Sequence, residues 1–500
     1  MELDKKDFIT YDAVELAGLV RAKEVSPLEL VQASIAQHDE VNGEMNAVVH
    51  HRFERVLEDA SNVEEGRLLS GVPFLLKDIS QSLKGERITS GARLFEQFHA
   101  EETSHFVRTL ERSGLLFTGF TNTPEFALKN ITEPKLHGPS RNPWNKDHTP
   151  GGSSGGATAA VASGIVPAAG ASDGGGSIRI PASFTSLFGL KPTRGRTAVG
   201  PGVGRNWQGA AVDFVVSRTV RDSAALLDVT QVLQPGAAFH VPLYENSYLQ
   251  TLKRVPTEQL KIAYSLESPV GTPVSEDAKR AVKKVLQLLE GKGHVIEEVT
   301  PNIDGVNLMK NYYLMNSGEM ASVVDQLEQG LQRPVEPDEI ELETWMLAHA
   351  GEHVSAKEYA QSLGAWDQAA IEMARLHETY DYYITPTTAF TAPKIGELSH
   401  TETSEEKWRE QMLSTDDPAK KQQYIYEMFE PSLTYSPFTQ LANLTGQPAM
   451  SVPVHIAENG LPIGVQVMAN KGEEHRLLQL ASFIEQSPIW VGMKGNPYFE

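Results

Sequence analysis

The chain has no cysteine in 500 residues. That excludes disulfides, thiolate metal sites and every cysteine nucleophile, the cysteine-based amidases of the nitrilase type among them. It has little positive charge for its acidic content: 44 Lys and Arg against 65 Asp and Glu leave a formal net charge of -21. Broad contacts with nucleic acid or an anionic membrane need basic surfaces, so neither partner is expected. No run of about 20 apolar residues exists, and no membrane span is expected. Met1 to Phe8 is charged and lacks an apolar h-region, so no secretory signal is expected and the cytoplasm is the expected location. What remains, 40% hydrophobic and 22% charged, is ordinary globular composition.

Length alone allows two or three domains. The pattern favours one large α/β domain over residues 1–500, because apolar runs near both ends could share a sheet. Ser26-Pro27-Leu28-Glu29 is a capping box with proline at the first helical position. Val72–Leu76 and Leu115–Thr118 read as buried strands, and Gly155–Ala162 as an Ala-rich helix. Ile165–Ala171 reads as an extended segment. The acidic stretches Glu319–Glu343 and Glu402–Glu410 read as solvated helices. Near the end, Ala449–Ile456 and Ile463–Val467 flank Asn459-Gly460, a hairpin signal. Residues from about 235 to 440 carry no motif that can be read chemically.

Two glycine-rich runs carry chemistry. Gly151-Gly152-Ser153-Ser154-Gly155-Gly156 is either a flexible linker or a loop opening into a helix N-terminus. A P-loop is a poor fit, because no Lys-Ser/Thr pair follows, and no Rossmann pattern is present. Gly151-x-Ser153-x-Gly155 formally matches the nucleophile elbow of His-based serine hydrolases, but the preceding Asn145–Pro150 is polar and ends in proline, where the elbow needs an apolar strand. The second run, Asp173-Gly174-Gly175-Gly176-Ser177, is either a surface turn or a nest of N–H groups that binds an oxyanion beside a nucleophilic serine. A serine needs a base. None of the 15 histidines lies in a suggestive motif, and His50, His51 and His99 read as surface. Lys77 ends an apolar strand. It is either a snorkelling lysine or a base whose pKa burial lowers. An unperturbed lysine would be handicapped as a base by roughly 3 kcal/mol at pH 8.

Residues 71–200 resemble the amidase signature family. The matching stretches are Gly71–Asp78, Thr121–Phe126, Asn142-Pro143-Trp144, Gly151–Gly156, Ser172–Ala182 and Gly189–Arg196, with Gly446–Ala449 and Gly460–Gln466 resembling the family's closing segment. Thr132-Glu133-Pro134 and Arg141–Trp144 are most similar to the branch containing the aminohexanoate cyclic dimer (nylon oligomer) hydrolases. The resemblance implies the amidase signature fold, a large mixed central β-sheet covered by helices on both sides. It implies an amidase cleaving a carboxylic amide C–N bond, with Ser177 as nucleophile, Ser153 as proton relay next to a cis peptide bond, and Lys77 as base. Gly174, Gly175, Gly176 and Ser177 would form the oxyanion hole, and the backbone near Ala127 would line the substrate site. Arg179 would be structural. No metal and no cofactor are implied. A small-molecule amide is the expected partner, with a homodimer as a further option, and residues 235–440 would shape a variable pocket around the 71–200 core. A glutaminase subunit of a tRNA-dependent amidotransferase would share this triad. Two departures stand out: Gly174 replaces a frequent Thr, Ile or Ala, which would loosen the oxyanion loop, and Thr185-Ser186 replaces Cys-Gly.

Overall fold

The computed structural model describes residues 5–64, 66–253 and 258–500. The stretch Met1 to Phe8, read above for a secretory signal, therefore lies partly outside the described residues. Among those described, no helix is long and apolar enough to cross a membrane.

One eleven-stranded mixed sheet runs through the molecule. In chain order the strands are β1 (Val48–His51), β2 (Pro73–Lys77), β3 (Leu116–Thr121), β4 (Ala168–Asp173), β5 (Phe188–Lys191), β6 (Val212–Ser217), β7 (Lys261–Tyr264), β8 (Val295–Glu298), β9 (Tyr382–Pro386), β10 (Ala449–Ile456) and β11 (Pro462–Met468). Their order in space is β1-β3-β2-β4-β6-β5-β10-β11-β9-β7-β8. Strands from both ends of the chain thus share the sheet, as the apolar runs suggested. Every residue of β2, β3, β5, β6, β9 and β11 is buried. A sheet shows this only where both faces are covered.

The expected elements form, with ends shifted by at most three residues. Ser26 caps the helix Pro27–Met45 with a reciprocal Ser26–Glu29 capping box. The Ala-rich helix is Gly155–Ala162. Asn459-Gly460 joins β10 and β11, which pair antiparallel. One reading needs correction. The Glu402–Leu413 helix is largely solvated, with Met412 its buried residue. The stretch Glu319–Glu343 is not one solvated helix. It spans the end of the helix Gly305–Leu331 and the start of the helix Leu342–Gly351, and Glu341 and Glu343 are buried. Lys129 from the distant N-terminal half meets them at 2.6 and 3.6 Å, so these acids face a cation and not water.

The parallel strands β2 and β4 place the site. Their register pairs Leu75 with Ala169, which carries Lys77 to the level of Ala171 and Ser172 at the carboxyl ends of both strands. Open α/β sheets hold ligands outside such strand ends.

Candidate active site

Lys77 is fully buried at the end of β2. Its Nζ lies 2.8 Å from Ser153 Oγ and 2.9 Å from Ser172 Oγ. Burial brings the amine down to about 7, against the charges of Asp213 and Asp173, which pull it upward. Gln81 locks the strand end in place: its Oε1 accepts the Lys77 N–H at 3.0 Å, and its Nε2 donates to Ala171 O in β4 at 3.0 Å.

Ser153 sits in the first glycine run, and the Gly152–Ser153 peptide bond is cis. The run is not a linker, because residues 150–156 are all buried. Thr132 Oγ1 donates to Gly151 O at 2.8 Å and accepts the Gly155 N–H at 3.1 Å. At Gly156 the chains approach so closely that a Cβ would lie 2.3 Å from the Asn122 nitrogen. No strand leads into Ser153, and the side chain bonded to its hydroxyl is a lysine and not a histidine, which argues against the elbow reading.

The second run follows β4. The Asp173 carboxylate accepts N–H groups from Gly176 at 2.7 Å and Ile178 at 3.2 Å. Arg179 meets the same carboxylate through Nε at 3.0 Å and Nη2 at 2.9 Å. Although burial pushes this acid up, the Arg179 charge holds it at about 2. Arg179 is itself completely buried and also reaches Thr439 O, Gln466 Oε1 and Asn443 Oδ1. It is structural, as read. Gly176 has φ +129°, and a Cβ there would lie 2.3 Å from Thr439 Oγ1, so the position requires glycine. Its N–H donates to Asp173 Oδ1, unlike those of the other residues expected in the oxyanion set. The N–H groups of Gly174, Gly175 and Ser177 have no partner among the described residues. At Gly174 a Cβ would meet only Ala211, through Cβ at 3.4 Å and Cα at 3.8 Å, so a Cβ is accommodated there. Ser186 adopts the left-handed conformation (φ 60°) at the helix end, where a glycine would sit without strain.

Ser153, Ser172, Gly174, Gly175 and Ser177 all border one cavity of about 500 Å³. Ala127 borders it too, with φ 59° and its N–H bonded to Pro124 O, which leaves the carbonyl for any backbone contact. Further lining comes from residues without a readable motif, among them Tyr312, Met320, Val323, Leu347, Phe429 and Leu433.

The amidase family profile matches residues 29–478, which covers the strands, both glycine runs and the far wall of the cavity. The chain belongs to the amidase family. It is 41% identical over 486 residues to a lipoamidase of Enterococcus faecalis, a match covering 96% of this chain and 64% of that protein. The chain thus spans under two thirds of the lipoamidase's length. It is 34% identical over 492 residues to the 6-aminohexanoate-cyclic-dimer hydrolase of Paenarthrobacter ureafaciens, with 97% and 96% of the two chains covered. The solved structure of a 6-aminohexanoate cyclic dimer hydrolase complexed with substrate superposes with a TM-score of 0.89 at 32% identity, covering 98% of this chain and 100% of that one. The resemblance to the cyclic dimer hydrolase branch therefore stands, beside a relative of higher identity. This amidase is a hydrolase of amide C–N bonds.

Three residues around the amidase site escaped sequence reading. Ser172, a second neighbour of Lys77 Nζ, was hidden inside its own glycine-rich motif. Asp213 pairs with Ser172 across β4 and β6 and lines the cavity; burial raises its carboxyl to about 6. Nothing local marks it, since its partners Ser80 and Gln81 lie far away in the chain. The third, Tyr312, donates to Gly174 O from the unreadable region.

Proposed function

We propose that this amidase works by acyl transfer, with Ser177 as nucleophile, Ser153 as relay and Lys77 as base. The observation that carries the reading is the buried Lys77 amine, 2.8 Å from Ser153 Oγ and brought to about 7. A base with a pKa near the working pH is the most effective kind. Ser177 Oγ attacks the amide carbonyl while its proton passes to Ser153 Oγ, whose own proton passes to Lys77 Nζ. The oxyanion that forms is held by the N–H groups of Gly174, Gly175 and Ser177. When the C–N bond breaks, Ser153 returns a proton to the leaving amine and is reprotonated by Lys77. Water, deprotonated through the same relay, then cleaves the acyl-enzyme ester and releases the acid and Ser177. Each well-aimed oxyanion donor is worth about 2.7–4 kcal/mol at the transition state. The chemistry calls for neither metal nor cofactor.

The substrate we propose is a small amide whose acyl group is a polymethylene chain. Much of the cavity lining is apolar or aromatic, with Phe126, Trp207, Tyr313, Met320, Leu347 and Phe429 among it. Lipoamidase and the 6-aminohexanoate cyclic dimer hydrolase are named for acyl groups that share such a chain. We place the enzyme in the cytoplasm and read residues 1–500 as one amidase domain, with 71–200 as its core and about 235–440 shaping the pocket.

The test is a hydrolysis screen over lipoamide, linear and cyclic 6-aminohexanoate amides, short acyl amides and glutamine, with Ser177→Ala as control. Turnover of the polymethylene amides, lost in the control, is the expected result. Glutamine as sole substrate would point to an amidotransferase glutaminase subunit, and activity persisting in Ser177→Ala would overturn the triad.

A further inference from the structure

We propose that Tyr312 is a positioning residue for the oxyanion loop, aiming the Gly175 N–H at the reacting carbonyl from the helix that also forms the substrate wall. This rests on the acyl-transfer reading above. Tyr312 OH donates to Gly174 O at 3.0 Å. The Gly174–Gly175 peptide is trans and planar, so its C=O and N–H point in opposite directions. Whatever holds the carbonyl therefore sets the direction of the Gly175 N–H. The next peptide is held on both sides: Thr439 Oγ1 donates to Gly175 O at 2.7 Å, and the Gly176 N–H donates to Asp173 Oδ1 at 2.7 Å. Among the described residues the first peptide has only Tyr312 as a grip, and its N–H has no partner. A hydrogen bond to a carbonyl also polarises the N–H of the same amide, which strengthens it as a donor.

Glycine at 174 makes this grip necessary. That position is free of packing contact closer than 3.4 Å, so no side chain of its own restrains the loop. At Gly175 the contact is tight: a Cβ would lie 2.9 Å from Tyr312 OH. The tyrosine hydroxyl is buried, which pushes it up to about 12 and keeps it a donor throughout the neutral range. One and two turns further along the same helix face, Asn316 Oδ1 accepts from Trp207 Nε1 at 2.7 Å, and Glu319 Oε1 accepts from Gln208 Nε2 at 2.8 Å. All of these residues but Gln208 line the cavity. The wall that receives the acyl group and the grip on the oxyanion loop are thus one rigid helix face.

Tyr312→Phe removes the hydroxyl and keeps the ring that packs near Tyr313 and Trp366. The experiment measures kcat and KM on the best amide of the screen, the pH profile, and binding of an aldehyde carrying the same acyl group, which adds the nucleophile and presents an oxyanion. The expected result is a fall in kcat of about 10- to 100-fold, below the loss of a whole donor. KM should stay within about twofold, the acid limb should be unshifted because Lys77 is untouched, and aldehyde affinity should fall in step with kcat. Binding of the product acid, which carries no tetrahedral oxyanion, should be unchanged. Wild-type kcat and aldehyde affinity in Tyr312→Phe, with Ser177→Ala inactive, would overturn this inference alone. An active Ser177→Ala would instead overturn the reading beneath it. A rise in KM with kcat and aldehyde affinity kept would show that Tyr312 serves only as wall, and would also overturn the inference.

Discussion

At the scale of residues, the site depends on removing a charge from water. On the proposed mechanism Lys77 must be neutral to accept a proton, and its burial at the end of an apolar strand lowers its pKa to about 7. The sign follows directly: below that pH the amine is protonated and cannot act as a base, above it the amine is free. We predict that kcat/KM rises through about pH 7 and levels off on the alkaline side. An acid limb that disappears on replacing a single histidine would contradict the assignment. Asp173 and Arg179 follow the opposite logic, because both stay charged in the interior and meet each other at 2.9 Å. Replacing Arg179 by Met leaves a buried carboxylate without its cation, which should cost about 3–5 kcal/mol of stability in urea unfolding. A loss under 1 kcal/mol would contradict the pairing. Since Asp173 is held at about 2, the stabilisation it contributes is present above its free value of 3.8 and is lost as the pH falls through about 2. A lysine closing an apolar strand is conspicuous, which marked Lys77, but its residues alone left snorkelling and base both open, and only the fold shows it buried against Ser153. Glu341 and Glu343 were misread because their cation, Lys129, lies more than 200 positions earlier, where no local pattern can show it.

Among the elements, those near the triad were the legible ones. The capping box, the Ala-rich helix and the Asn-Gly hairpin are encoded over a few residues, and each forms where its local chemistry says. The wall of the cavity is different. The helices Gly305–Leu331, Leu342–Gly351 and Pro418–Tyr435 pack on one another and each contributes side chains to the cavity. A residue such as Val323 or Phe429 looks like any core residue until the cavity it borders is known. Occupying that space should act on substrate length and not on chemistry. For Val323→Trp we expect KM for a long polymethylene amide to rise by about 10-fold or more, with acetamide-type turnover altered less than twofold, because pocket fit discriminates chain length by such factors. Equal loss on long and short amides, measured across an acyl series, would place Val323 outside the acyl pocket.

For the molecule as a whole, the continuity of the sheet is the main constraint. Strands β7, β8 and β9 come from the region that forms the pocket wall, yet they join the same sheet as β2 and β4 through β11 and β10. We therefore predict one cooperative unfolding transition in urea, coincident by far-UV circular dichroism and by the fluorescence of the six tryptophans, which run from Trp144 to Trp490. A separate early transition would show that the 235–440 region melts on its own. The same continuity brings the end of β2, the loop before the Gly155 helix and the turn after β4 to one cavity, so the proposed triad requires the assembled fold. Its most direct test is to label the intact enzyme with a fluorophosphonate and map the modified peptide. The account predicts one label per chain, on Ser177, absent in Ser177→Ala and slowed about 10²–10⁴-fold in Ser153→Ala and Lys77→Ala, with the double variant little worse than either. A label on Ser153 or Ser154 with Ser177 unmodified would contradict it.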